Sequence, residues 1–249
     1  MKTLILAACL VLASGAAFSD DNLRQLSHLP NGTTLVDGDI IVENSKLSNF
    51  RVALLEEHKL WPQRTVVYQL SPAFSENHRQ NIKQALREME ELTGCLRFEE
   101  RRNEKDYVNV VYEGGCSSYY GRQGGAQQMN LGPGCPNSIR KIIHEFMHAL
   151  GILHEHQRYD RDQYILIHRE NVRPEFLSSF DLLNRMQFRY FRSFDFDSVM
   201  LYGPDAFAKG RGLVTMSSRV PGKAVQDESR KPFMSAGDLQ TVRMLYKCW

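Results

Sequence analysis

His144-Glu145-Phe146-Met147-His148-Ala149-Leu150-Gly151-Ile152-Leu153-His154 is the stretch on which the reading of this chain turns. Residues four apart share one face of a helix, so His144 and His148 can offer two imidazoles to one ion. Glu145 follows the first of them and is offset from that line, which suits a general base acting on metal-activated water. Gly151 can take the left-handed conformation that ends a helix, and the turn lets His154 return as a third ligand. Three nitrogens leave a zinc ion open to water, as in catalytic rather than structural sites. The apolar residues between them, Ile142, Ile143, Phe146, Met147, Leu150 and Leu153, read as packing that buries the helix and stiffens the ligands.

Outward from this helix, Ser138 starts it. A strand is expected at 65–70. A helix with Ser75 as N-cap carries Ile82, Leu86, Met89 and Leu92 at helical spacing until Gly94. Further strands are expected at 95–98 and 107–112. Residues 126–131 read as a short edge strand, to which an extended substrate would add. Ser235-Ala236-Gly237-Asp238 opens a last helix running to about Lys247. The stretch 152–230 is less regular. The mixture is α+β.

At the amino end, Met1-Lys2-Thr3 precedes an apolar run, Leu4 to Ala13, too short to span a bilayer. With Ala17-Phe18-Ser19 it reads as a secretory signal, 1–19. Residues 20–51 are polar and read as a pro-segment rather than a core element, with a sequon at Asn31-Gly32-Thr33. The chain of 249 residues has a net charge of only +2, which argues against a nucleic-acid or anionic-membrane binder. Cys9 leaves with the signal. The other four cysteines, Cys95, Cys116, Cys135 and Cys248, should pair in an oxidising compartment, with three connectivities open. Closing the Gly-rich loop between Cys116 and Cys135 would be worth about 3 kcal/mol.

The string 144–154, its continuation Glu155-His156-Gln157-Arg158-Tyr159-Asp160-Arg161-Asp162, and the later Ser198-Val199-Met200-Leu201-Tyr202 resemble the metzincin zinc signature and Met-turn of the astacin family. The resemblance covers 52–249. It implies a two-subdomain protease with a twisted sheet, an active-site helix and an irregular C-terminal subdomain. It implies one zinc on His144, His148 and His154, and Glu145 as the base. Met200 would be the floor of the site, and Tyr202 a displaceable ligand that stabilises the oxyanion. Leu201 stands where the family usually has His. The family pairing implies Cys95–Cys248 and Cys116–Cys135.

Val36-Asp37-Gly38-Asp39-Ile40 resembles the family's pro-segment element, making Asp39 the zymogen switch. Val52 resembles the mature start. A trypsin-like protease would cut after Arg51, and the new α-ammonium of Val52 would pair with Glu155. The expectation is a secreted, extracellular zinc endopeptidase, acting as a monomer on extended protein or peptide substrates, with neither nucleic acid nor membrane as a partner.

Overall fold

The computed structural model describes residues 29–49, 59–183 and 192–248. The expected signal peptide, Arg51 and Val52 lie outside them. The first described element is a hairpin of β1 (Thr33–Val36) and β2 (Ile40–Glu43). β3 (Thr65–Leu70) leads into α1 (Glu76–Thr93), and β4 (Arg97–Glu100), β5 (Tyr107–Val111), β6 (Cys116–Tyr119) and β7 (Ala126–Leu131) follow. Then come α2 (Ile139–Ala149), short 3-10 turns, the pair β8 (Ile165–Ile167) and β9 (Met216–Ser218), and α3 (Ala236–Leu245). This is an α+β fold.

The helices begin and end where local chemistry requires. Ser75 accepts from His78 N, and Gly94 closes α1 at φ 71°. Ser235 and Asp238 form a reciprocal capping box on α3, which satisfies two amide groups that a helix start otherwise leaves unpaired.

Strands β1 to β7 form one sheet in the order β1-β2-β6-β7-β5-β3-β4. β7 pairs with β5 in parallel and with β6 antiparallel. The expectation that 126–131 is an edge strand is therefore corrected. The chain between Cys116 and Cys135 folds back so that β6 covers β7. β6 in turn is covered by β2, parallel, with Ile40 opposite Ser118.

The reading of 20–51 as no part of a core is corrected as well. Ile40, Ile41 and Val42 are buried, because β2 lies inside the sheet, between β1 and β6.

One core joins the sheet (Val66, Val108, Met129) to α1 (Ile82, Met89), α2 (Ile142, Phe146) and α3 (Val242). Phe146 is fully buried, with Tyr68 and Phe98 edge-on at 6.5 and 5.5 Å. Side chains tie off the end of α2: Trp61 Nε1 donates to Ala149 O at 2.9 Å and the Tyr246 hydroxyl to Leu150 O at 3.0 Å. Two disulfides close the frame, Cys95–Cys248 and Cys116–Cys135, with Cα separations of 5.9 and 5.8 Å. A second, smaller core around Ile165, Phe180, Phe194 and Met216 lies behind the Met-turn.

Candidate metal centre

Helix α2 presents His144 and His148 one turn apart. Its end is a Schellman motif. Gly151, at φ 91°, donates to His148 O at 2.8 Å, and Ile152 N to Met147 O at 3.0 Å. The paired bonds satisfy carbonyls that the helix end would leave open and reverse the chain. His154 thereby returns to the face of α2. Its Nε2 lies 3.2 Å from Nε2 of both His144 and His148.

Asp39, at the tip of the β1–β2 hairpin, reaches the same point. Its Oδ2 is 3.3 Å from His144 Nε2 and 3.2 Å from His154 Nε2, and its Oδ1 is 3.5 Å from His148 Nε2. The four donor atoms lie within 4.8 Å of one another.

The donor set fits zinc. His144 Nδ1 meets Val199 O at 2.9 Å and His148 Nδ1 meets Ile152 O at 2.8 Å. Those carbonyls hold the proton on Nδ1 and leave the Nε2 lone pair for a metal. Converging lone pairs and a carboxylate need a cation between them, and three nitrogens with one oxygen suit a tetrahedral zinc. Burial would raise the Asp39 carboxyl. The fields of His154 and His148 and the bonds from His144 and His148 outweigh it and hold it well below the usual range.

Glu145 is buried, and its Oε2 has no hydrogen-bond partner among the described residues. Burial first, then the charges of Asp39 and Glu228, push its carboxyl well above the ordinary value. A cavity of about 160 Å³ beside it is lined by Arg140, Lys141, Val199, Leu201, Tyr202 and Glu228. Leu201, where the resemblance would place His, is buried in the second core.

Met200 is buried in the main core, and its carbonyl accepts from Glu155 N at 2.9 Å. Tyr202 packs on His154 at 4.4 Å and stacks on His156 at 4.2 Å. Its hydroxyl donates to the carbonyl of Asp37 and lies 3.4 Å from Asp39 Oδ2.

Three residues that support this turn were not singled out from the sequence for that purpose. Asp238, read only as part of a helix cap, also accepts from Ser198 Oγ at 2.6 Å and from Val199 N at 2.9 Å. The buried Lys231 donates to Leu201 O. His156 is fully buried and bonds Ser179 O at 3.0 Å. For Asp238 the capping box was a visible signal. His156 stood in the stretch that follows the third histidine, though its partner lies 23 residues away, and for Lys231, 30 residues from its partner, the sequence holds no signal.

Glu155 is buried and bonded to Arg158 and Arg192. Its expected partner, the amino group of Val52, lies outside the described residues. Asn31 is exposed, in the turn before β1.

The family model described as Astacin, a peptidase family, matches residues 53–247. Among curated proteins, an astacin-like metalloprotease toxin 1 of Loxosceles intermedia is 38% identical over 88% of this chain and 83% of its own length. An astacin-like metalloendopeptidase of Gallus gallus is 36% identical over 86% of this chain and 51% of its own. Among solved structures, the hatching enzyme high choriolytic enzyme 1 of Oryzias latipes superposes with a TM-score of 0.67 at 30% identity, over 78% of this chain and 93% of its own.

Proposed function

Since the chain belongs to the astacin family of zinc metalloendopeptidases, we propose that it is made as a secreted proenzyme, 1–19 signal, 20–51 pro-segment and 52–249 catalytic domain. In this reading His144, His148 and His154 hold the zinc. The observation that carries it is the Asp39 carboxylate at the three Nε2 atoms. A carboxylate there takes the place that water needs, so the hairpin tip is a built-in plug. A trypsin-like protease cutting after Arg51 would release it. The α-ammonium of Val52 would then join the buried cluster around Glu155. Paired cysteines and an exposed sequon at Asn31 suit an extracellular monomer, and no described helix is long and apolar enough to cross a membrane.

Zinc, when bound, supplies a Lewis acid for the scissile carbonyl and makes a water acidic enough to be used at neutral pH. The remaining work belongs to side chains. Glu145, with one carboxylate oxygen unengaged, takes the water's proton and passes it to the leaving nitrogen. Tyr202, once free of the Asp37 carbonyl, donates its hydroxyl to the developing oxyanion. The carbonyls of Val199 and Ile152 keep the imidazoles of His144 and His148 from turning. An extended protein or peptide substrate would pair with β6, on the edge that β2 leaves, by main-chain hydrogen bonds.

The test compares activated wild type with Glu145→Ala. Zinc content should be equal in the two. Hydrolysis of a protein substrate should be abolished in the variant, and a chelator should abolish it in the wild type. A variant that keeps a tenth or more of the activity, about 1.4 kcal/mol in barrier, would remove Glu145 from its role.

A further inference from the structure

Glu155 directly follows the third histidine, and its carboxylate is fully engaged. Oε1 accepts from Arg158 Nη1 at 3.2 Å, Arg192 Nη1 at 2.9 Å and the amide of Asp195 at 2.8 Å; Oε2 accepts from Arg192 Nη2 at 2.9 Å. The Glu155 side chain is 1% exposed and that of Arg192 6%. Arg192 thus grips both oxygens with two parallel N–H bonds, the geometry for which a planar guanidinium is suited.

The same guanidinium reaches further. Its Nε donates to Thr241 Oγ1 on α3 at 2.9 Å. Gly237 makes room for it: a Cβ there would stand 2.2 Å from Asp195 Oδ2 and 3.1 Å from Arg192 Cζ. The amide of Glu155 is fixed separately, to Met200 O. The residue after His154 is therefore clamped between the Met-turn, the segment entering it and the last helix.

We infer that Arg192 is a positioning residue of the metal centre. As the standing counter-ion of Glu155, it holds His154 at the zinc whether or not the amino terminus at Val52 has been released. Without Arg192 the buried carboxylate loses its bidentate partner and the bond on Oε2, keeping only Arg158 and the Asp195 amide on Oε1, and removing a partner from a buried charge is unfavourable. The chain at His154 would relax to relieve it. The inference rests on the reading of His154 as a zinc ligand, but it gives the α-ammonium an added rather than an essential part at Glu155.

The experiment uses four activated, zinc-loaded proteins. They are wild type starting at Val52, wild type carrying Phe50-Arg51 before it, Arg192→Gln and Arg192→Lys. Zinc transfer to a chromogenic chelator is timed, and kcat and KM are measured on one peptide. Arg192→Gln should release zinc about tenfold faster or more, the scale set by loss of an outer-shell partner. Its kcat should fall by about the same factor, with KM changed less than about threefold.

Arg192→Lys should fall between, since one ammonium cannot span both oxygens. The extended wild type should match the Val52 form within about twofold. The inference is overturned if folded Arg192→Gln keeps its zinc like wild type, or if the extended wild type loses zinc as fast as the variant. Should Arg192→Gln not fold, Arg192→Lys and the extended wild type still decide, with wild-type release from the lysine variant counting against. A failure of the peptidase reading looks different: wild type would then bind zinc and cleave nothing.

Discussion

The hydroxyl of Tyr202 donates to the main-chain carbonyl of Asp37, so the hairpin tip that places Asp39 at the histidines also occupies the hydroxyl proposed as the oxyanion donor. Three consecutive residues thus engage both Tyr202 and the three histidines. The middle one, Gly38, sits at φ 93°. A Cβ there would meet Phe207 Cζ at 2.5 Å and the Tyr202 hydroxyl oxygen at 3.3 Å.

Latency follows from that geometry. In a proenzyme whose Arg51 is blocked against cleavage, Asp39→Ala should hydrolyse a small peptide well above its inert parent. Gly38→Ala should do so too, because the new methyl group strains the turn and pushes the tip off Phe207. We expect at least about tenfold over parent, or 1.4 kcal/mol less occupancy of the plug. Two variants as inert as the parent, with water rather than Asp39 on the zinc in a structure of the second, would refute the plug.

Maturation gives a discrete outcome. Amino-terminal sequencing of the active enzyme should begin at Val52. A start several residues away would sink the proposal that its α-ammonium reaches the Glu155 cluster.

Lys231 gives a pH signature. Burial lowers its pKa from 10.5 to about 8, against the fields of Asp238 and Glu228. Between those values the unfolded chain binds a proton that the folded chain does not, so stability must rise with pH across that window. The whole effect is about 3 kcal/mol. Urea unfolding at pH 7, 9 and 10 should show wild type gaining on Lys231→Met as the pH rises. Parallel curves would mean that Lys231 is solvated in the folded protein.

Local features are legible in the chain alone. The i,i+4 spacing of His144 and His148 puts two ligands on one helix face. Gly151 is the residue that can turn the chain back, and Ser75, Ser138 and Ser235 mark helix starts within a residue. Such features depend on neighbours a few positions away, so composition and spacing suffice. Features that depend on distant partners were settled only by folding. β1 and β2 are four residues each, too short for a period to announce them, and the hairpin joins the sheet where β6 offers an edge to β2. Whether 126–131 was an edge strand depended on where β6 went, not on its own residues. Arg192 finds Glu155 across 37 positions and Asp238 finds Val199 across 39. A buried charge selects its counter-charge by proximity in the folded chain, and no periodicity in the sequence records that distance.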